Sequence, residues 1–198
     1  MSDEERSAPA PRKVRASALV ALALVAVGVY GLDQFSKFLI VSNLAVGEQV
    51  PVLGEVLQFH FVKNSGAAFS LASGSTWIFS IVAAGVAVFI IWYAGRIRSM
   101  SWAILFGMLL GGTLGNLTDR LFREPSFGLG HVIDFVQVWG FPAIFNVADS
   151  FIVASMGLFI ILSLRGTRLD GTHPRKAIAT AGTAGEAAVE TSSETPDR

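Results

Sequence analysis

The sequence predicts an all-α membrane protein with four transmembrane helices, a small extracytoplasmic β-hairpin or sheet, and an interfacial segment between the third and fourth helices. Of the 198 residues, 52% are hydrophobic and only 15% are charged, whereas about 25% of the residues of a typical soluble domain are charged. A spanning helix needs about 20 mostly apolar residues. Four stretches meet this requirement, at about 17–41, 76–95, 101–122 and 143–164.

Composition also excludes several kinds of function. The chain contains no cysteine, so disulfides, thiolate catalysis and cysteine-based zinc sites are excluded. His60, His131 and His173 are scattered, and no two of them stand at a spacing typical of zinc ligands. The formal net charge of zero leaves no basic surface to bind nucleic acid. We therefore expect no metal, no cofactor and no nucleic-acid partner.

The first apolar stretch is predicted to be a retained helix and not a cleaved signal peptide. It continues past Val29 into Asp33, Gln34 and Lys37 without a small-x-small cleavage site. Residues 1–16 and 166–198 are rich in small, polar and charged residues. Such segments lack the apolar groups needed to pack, so they are predicted to be disordered cytoplasmic tails on either side of one membrane domain, 17–165.

The distribution of Lys and Arg predicts the orientation of the four helices, because cytoplasmic loops carry an excess of these residues. One side of the membrane would hold Arg12, Lys13, Arg15, Arg96, Arg98, Arg165, Arg168, Arg175 and Lys176. The other side would hold Lys63, Arg120 and Arg123. Both termini are therefore predicted to be cytoplasmic, and the loops 42–75 and 123–142 are predicted to face outward.

The two outer loops differ in character. In the first, Val50-Pro51-Val52-Leu53 and the alternating Leu57, Phe59 and Phe61 flank a Gly54-Glu55 pair, a pattern typical of a β-hairpin. In the second, the segment 125–141 is too polar and too broken to span the membrane, and its aromatic residues suit the membrane interface.

The third and fourth apolar stretches carry further signals. Gly107, Gly111 and Gly115 recur every four residues, and such a small-residue face allows neighbouring helices to approach closely. Pro142 suits the first turn of the fourth helix. Asp149 would then lie about two turns into that helix, about 10 Å along its axis.

Ionisable and amide side chains cluster at the outer ends of the predicted helices, where they are costly unless paired or functional. Asp33 and Lys37 share a face of the first helix. The others are Asn116, Asp119 and Arg120 on the third helix, Asp134 in the second outer loop, and Asn146 and Asp149 on the fourth helix. Bundling the helices would bring these groups to one depth.

Each of these groups also has a structural interpretation. Asp33 with Lys37, and Asp119 with Arg120, could be ion pairs that join helices, and Asn64 could be a turn residue. Asp134 and Asp149 have no obvious Lys or Arg partner nearby in the sequence. Composition and spacing alone leave open a catalytic pair, a proton-coupled transporter that uses the same carboxylates, and a structural scaffold.

Five sequence blocks contain most of these polar residues: Asp33-Gln34-Phe35-Ser36-Lys37, Asn64-Ser65-Gly66-Ala67-Ala68-Phe69-Ser70, Gly115-Asn116-Leu117-Thr118-Asp119-Arg120, Val132-Ile133-Asp134-Phe135 and Phe145-Asn146-Val147-Ala148-Asp149-Ser150. In order and approximate spacing, they resemble the signature blocks of the lipoprotein signal peptidases (signal peptidase II), which are bacterial membrane aspartic proteases. The resemblance covers about residues 17–165. Two small departures are Lys63, where arginine is common, and Thr118, where an apolar residue is usual.

The resemblance implies roles for individual residues. Asp134 and Asp149 would be the catalytic pair. The residues that would bind substrate are Asn64, Asn116, Arg120 and Asn146, and those that would support the site are Asp33, Lys37, Asp119 and Gly115. A transporter of this size would usually show internal repeats or broken helices, and neither is visible in the sequence.

The resemblance also implies a substrate and a location. The substrate would be a prolipoprotein that already carries diacylglycerol, cut just before its lipidated cysteine. The enzyme would be a monomer in contact with membrane lipid in the bacterial cytoplasmic (inner) membrane, with its active site near the extracytoplasmic face.

Overall fold

Four long helices and one small sheet make up the computed structural model, which describes residues 16–66 and 76–169. The helices are α1 (Ala16–Asn43), α2 (Thr76–Tyr93), α3 (Met100–Phe122) and α4 (Val147–Leu164), and a short 3-10 turn (Ala94–Arg96) follows α2. All four are long and apolar enough to cross a membrane. The predicted fold class is therefore confirmed, whereas most of both predicted tails lies outside the described residues.

Helix α3 occupies the centre of the bundle and packs against the other three helices. The glycines of α3 explain how closely the neighbouring helices approach it. A Cβ atom added at Gly111 would lie 2.6 Å from the carbonyl oxygen of Ala26 in α1. On another side of α3, a Cβ atom at Gly112 would lie 2.7 Å from the carbonyl oxygen of Ala148 in α4. Larger residues at these positions would force the helices apart.

The apolar core of the bundle lies toward the end away from the sheet, around the buried side chains of Ile90, Trp102 and Leu105. The chain beyond α4 packs against this core. The Trp102 indole donates to the carbonyl oxygen of Thr167 at 3.0 Å, and the carbonyl oxygen of Leu169 accepts from the backbone N–H groups of Arg98 and Ser99, just before α3. The packed part of the chain thus continues past residue 165, the boundary predicted from composition.

The sheet contains three antiparallel strands in the order β1-β2-β3: Gln49–Leu53, Leu57–Asn64 and Val132–Val138. The predicted hairpin is confirmed as β1 and β2, and Gly54 adopts a positive φ of 57° between them. The segment predicted to lie at the interface contributes β3, which pairs with β2. The first four residues of β3 are all buried, so the alternating pattern that identifies a half-exposed strand is missing.

Helix α4 begins later than the sequence predicts, at Val147 and not near residue 143. The preceding residues form no helical turn because Phe145 exchanges backbone hydrogen bonds with Val136 of β3. Asn146 caps the helix, and Asp149 lies in its first turn. The prediction that Pro142 opens the helix, with Asp149 two turns in, is therefore wrong.

Candidate active site

Asp134 lies on β3 with only 2% of its surface exposed. One carboxylate oxygen, Oδ2, accepts a hydrogen bond from the Asn64 amide nitrogen at 2.7 Å, and the other, Oδ1, accepts one from the Asn146 amide nitrogen at 2.7 Å. The Asn64 amide is fixed in turn, because its oxygen accepts from the backbone N–H of Gly66 at 2.8 Å. Asn64 is at the end of β2, so strand pairing brings it close to Asp134.

Asp149 is held at the N-terminus of α4. Its Oδ1 atom accepts from the Asn116 amide nitrogen at 2.8 Å, and its Oδ2 atom accepts from the backbone N–H of Asn146 at 3.2 Å. The Asn146 side chain completes a capping box by accepting from the backbone N–H of Asp149 at 3.0 Å. A helix N-terminus favours negative charge, so this location suits a carboxylate.

Asn146 connects the two acids. Its side chain, which is fully buried, donates to Asp134, and its main chain donates to Asp149. Asp134 lies in β3 and Asp149 lies in α4. Asn146 fixes the position of each acid relative to the other. The two carboxyl groups therefore belong to a single hydrogen-bonded unit.

The environment of Asp134 makes its carboxyl group a weaker acid than an exposed aspartate, because its pKa is raised. Burial raises the pKa of Asp134 to about 6, above the usual 3.8. The hydrogen bond from Asn64 opposes this rise because it stabilises the ionised carboxylate, and the charge of Asp149 adds to it. A carboxyl group with such a pKa can hold or release a proton near neutral pH.

A buried ion cluster supports the two acids from one side. Lys37 Nζ lies 2.8 Å from Asp33 Oδ2 and 2.8 Å from Asp119 Oδ2, and all three side chains have no exposed surface. The predicted Asp33–Lys37 pair is therefore present. Asp119 pairs with Lys37 and with Arg123, and not with Arg120, the partner that the structural interpretation considered, because adjacent residues on a helix do not face each other.

Gly115 leaves space for the Asp33 carboxylate in this cluster. A Cβ atom at Gly115 would collide with the Asp33 carboxylate. Asp33 itself accepts from the backbone N–H of Ala148 at 3.0 Å and from Gln34 at 3.1 Å. The close approach of α1 to α3 at Gly115 thus lets one carboxylate of α1 reach the first turn of α4.

Arg120 projects on the same side of the molecule but is bonded differently. Its guanidinium carbon lies 5.2 Å from the centre of the Phe79 ring in α2, and the charges of Asp134 and Asp149 both act on it. Its Nη1 atom is buried and has no hydrogen-bond partner among the residues that the structure describes. An unpaired buried donor is costly, and a substrate carbonyl oxygen could supply the missing acceptor.

The structure therefore gathers the predicted site residues, although in two layers. Asn64, Asn116 and Asn146 surround Asp134 and Asp149, while Asp33, Lys37, Asp119 and Gly115 lie behind Asn116. The sequence analysis missed Phe79 and Ser80 of α2. Ser80 donates to the carbonyl oxygen of Gly128 at 2.8 Å, which ties α2 to the loop before β3. An aromatic residue and a serine in an apolar helix give no distinctive sequence signal.

The fold and site define a class: a multi-pass membrane protein in which the buried Asp134 and the half-buried Asp149 are joined at one end of a four-helix bundle. Residues 25–165 match the family model described as signal peptidase (SPase) II. The lipoprotein signal peptidase of Leifsonia xyli is 60% identical over 97% of this chain and 92% of its own length. That of Mycobacterium avium is 42% identical over 89% of this chain and 96% of its own.

Solved structures agree with the sequence comparison. A bacterial membrane enzyme structure obtained by the in meso method superimposes with a TM-score of 0.66, at 27% identity, over 78% of this chain and 97% of that one. The chain belongs to the signal peptidase II family and is a peptidase of the bacterial membrane. The alternative interpretation as a transporter finds no support in these relatives.

Proposed function

We propose that this chain is an aspartic endopeptidase that removes the signal peptide from prolipoproteins, with Asp134 and Asp149 as its catalytic pair. The observation that carries the proposal is the way in which the two acids are bonded. Within the described part of the chain, their four carboxylate oxygens receive hydrogen bonds from amide N–H groups. Neutral donors orient the acids and leave their negative charge in place. An ion pair would neutralise that charge.

Two acids in one unit can activate water without a metal ion or a covalent intermediate. Two neighbouring carboxyl groups resist double ionisation, so they share one proton. The ionised acid takes a proton from water. At the same time the water oxygen attacks the scissile carbonyl carbon, and the protonated acid donates its proton to the carbonyl oxygen. The resulting diol collapses when the C–N bond breaks: the acid that took the proton from water gives it to the leaving amine, and a diol hydroxyl returns its proton to the other carboxylate as the carbonyl re-forms. The pair then holds one proton again and titrates as a unit.

Arg120 is suited to bind the substrate at this centre. Its buried Nη1 atom lacks a hydrogen-bond acceptor within residues 16–66 and 76–169, and its positive charge lies within reach of both acids. A substrate carbonyl oxygen, or an ester oxygen of a lipid, would satisfy this donor. Phe79 packs against the guanidinium and restricts its movement, so the donor is oriented before substrate arrives.

The three asparagines contribute mainly through the acids. The amide nitrogens of Asn64, Asn116 and Asn146 already donate to Asp134 or Asp149. Their primary role in the proposal is to hold the carboxyl groups in a reactive arrangement. Each amide nitrogen carries two hydrogens, and a remaining one can also contact substrate, as the sequence resemblance implies.

The proposed substrate carries a diacylglyceryl group on the cysteine that follows the cut. The relatives described above are lipoprotein signal peptidases. The helices expose large apolar side chains on their outer surfaces, including Leu24, Phe35, Phe38 and Ile81. Such a surface is suited to acyl chains and to the apolar helix of a signal peptide. The peptide would unwind near the acids, since a protease needs an extended scissile bond.

The proposed location follows from the charge distribution. With both termini in the cytoplasm, the sheet and the two acids lie at the extracytoplasmic face. Trp139 and Phe141, which are largely exposed beside the sheet, are then placed at the level of the lipid head groups. We propose that the enzyme acts there as a monomer.

The test is cleavage of a defined substrate by the purified enzyme. A diacylated prolipoprotein is expected to lose its signal peptide, and mass spectrometry should identify the lipidated cysteine as the new N-terminal residue. The matched control is the same prolipoprotein without diacylglycerol, which should be cut much more slowly. No cleavage of the diacylated substrate, or a cut at another bond, would overturn the proposal.

A further inference from the structure

Lys37 makes a contact that its ion pairs do not explain. Besides Asp33 and Asp119, its Nζ atom donates to the side-chain oxygen of Asn116 at 2.9 Å. An ammonium group has three hydrogens, and the three acceptors Asp33, Asp119 and Asn116 use all of them. Lys37 has no exposed surface, so no water competes for these contacts. One end of a buried charged side chain is thus directed at a neutral amide.

The contact determines which way the Asn116 amide points. Its oxygen accepts from Lys37 and also from the Asn146 amide nitrogen at 3.1 Å. Both of these neighbours are donors, so rotating the amide by 180° would place N–H groups against N–H groups. The Asn116 nitrogen must therefore point the other way, toward Asp149 Oδ1 at 2.8 Å.

We propose that Lys37 is a positioning residue for the peptidase reaction, which acts on Asp149 through the orientation of the Asn116 amide. The proposal rests on the function proposed above. In this arrangement the ion cluster is more than a link between helices, because it determines whether Asp149 faces a hydrogen-bond donor or an acceptor. Without Lys37, only the longer hydrogen bond from Asn146, at 3.1 Å, holds the Asn116 oxygen, so the amide can rotate more easily and present its oxygen to the carboxylate, which displaces Asp149.

A substitution of Lys37 needs a second substitution that conserves the net charge of the ion cluster. Replacing Lys37 alone would remove the basic partner of Asp33 and leave Asp119 paired with Arg123, and uncompensated buried charge is destabilising. The double variant Asp33→Asn/Lys37→Met removes one charge of each sign. The asparagine side chain at position 33 retains an oxygen that can accept from the backbone N–H of Ala148, as the carboxylate does. The variant thus removes the donor to Asn116 and conserves the net charge.

A matched control removes the other half of the cluster. Asp119→Asn/Arg123→Met also eliminates one buried acid and its basic partner. The asparagine oxygen at position 119 can still accept from the backbone N–H of Ile133, as the carboxylate does. This control keeps Lys37, Asp33 and the contact to Asn116. The two double variants therefore differ chiefly in whether the Asn116 amide remains oriented.

The experiment measures kcat, KM and thermal unfolding for both double variants with the diacylated prolipoprotein. We expect Asp33→Asn/Lys37→Met to lower kcat by about 100-fold with KM nearly unchanged, since a displacement of about 1 Å in a catalytic group can have that effect. The control should lower kcat much less, because it keeps the contact from Lys37 to Asn116. A purely structural cluster would instead lower thermal stability in both variants and change kcat to the same extent in both, and that result would overturn the proposal.

A double-mutant cycle with Asn116→Ala adds a second criterion. If Lys37 acts through Asn116, the loss in kcat caused by Asp33→Asn/Lys37→Met should nearly vanish once Asn116 is absent. Full additivity of the two losses would overturn the proposal. If Asp33→Asn/Lys37→Met does not fold, Asn116→Asp provides the alternative test. Its carboxylate gains Lys37 as an ionic partner but offers no N–H to Asp149, and wild-type kcat in that variant would overturn the proposal.

These outcomes are distinct from failure of the proposed function. If the function is wrong, the wild-type enzyme itself leaves the diacylated prolipoprotein uncut. If only the role of Lys37 is wrong, the wild type cuts the substrate and Asp33→Asn/Lys37→Met cuts it equally well.

Discussion

Gly115→Ala tests the packing that holds the ion cluster together. The added methyl group would collide with the carboxylate of Asp33. That carboxylate cannot move freely, because it is bonded to Lys37 at 2.8 Å, to the backbone N–H of Ala148 at 3.0 Å and to Gln34 at 3.1 Å. Either α1 moves away from α3 or the Asp33 contacts lengthen.

The magnitude follows from three contributions. Overpacking a tight interior costs about 1–3 kcal/mol. Breaking a buried ion pair by displacing one partner costs up to about 3–5 kcal/mol, of which we expect only a part because the pair can stretch. Alanine is favoured over glycine by about 1 kcal/mol within a helix. The net expectation is a loss of about 2 kcal/mol in the free energy of unfolding.

The assay is thermal unfolding of the purified protein in detergent, compared with Gly157→Ala. Gly157 lies in α4, and a Cβ atom there meets nothing within 4 Å, so this control should be neutral or slightly stabilising. For a chain of this size, we expect Gly115→Ala to lower Tm by about 4–8 °C. Equal Tm values for Gly115→Ala and Gly157→Ala would refute the reasoning.

Three further predictions concern the site and the topology. Arg120→Lys keeps the charge but loses the planar fork, so it should insert normally and cleave poorly, and wild-type turnover in a cleavage assay would show that only charge is needed. Asn64→Leu removes a hydrogen bond that stabilises ionised Asp134. Loss of this hydrogen bond should raise the pKa of Asp134 and move the corresponding limb of the pH–kcat profile to higher pH. An unchanged profile would contradict the assignment of Asp134 as a catalytic acid. Reporter fusions should place the position after Gly140 outside and the position after Arg98 in the cytoplasm, and an outward signal after Arg98 would contradict the orientation.

The sequence was sufficient to predict the elements that depend on local composition. Apolar runs of about 20 residues define the four helices, and the i, i+4 spacing of Asp33 and Lys37 identifies their ion pair. The β1–β2 hairpin follows from its alternating residues and from Gly54. Each of these signals acts within a short stretch of chain, so each is visible without the fold.

Features that depend on long-range pairing could not be predicted. The first four residues of β3 are all buried, so the strand shows no alternation of buried and exposed residues. The start of α4 is set by the pairing of Phe145 with Val136. The bridge that Asn146 forms between Asp134 and Asp149 requires that β3 and α4 meet, which no local pattern specifies.

The ion-pair partners of Asp119 could not be predicted for the same reason. Asp119 and Arg120 are neighbours in sequence, but the partners of Asp119 are Lys37 on another helix and Arg123 one turn away. The position of the Arg120 guanidinium against Phe79 likewise becomes evident only once α2 is placed beside α3.

The most direct test of the central claim is the cleavage rate of Asp134→Asn, Asp149→Asn and the double variant. Each substitution keeps size and shape but removes either the base or the proton donor. Each single variant should remain folded in the membrane and lose kcat by about 1000-fold or more, and the double variant should be hardly worse, because the two acids act as one unit. Substantial cleavage by either single variant, or losses that multiply in the double variant, would contradict the claim.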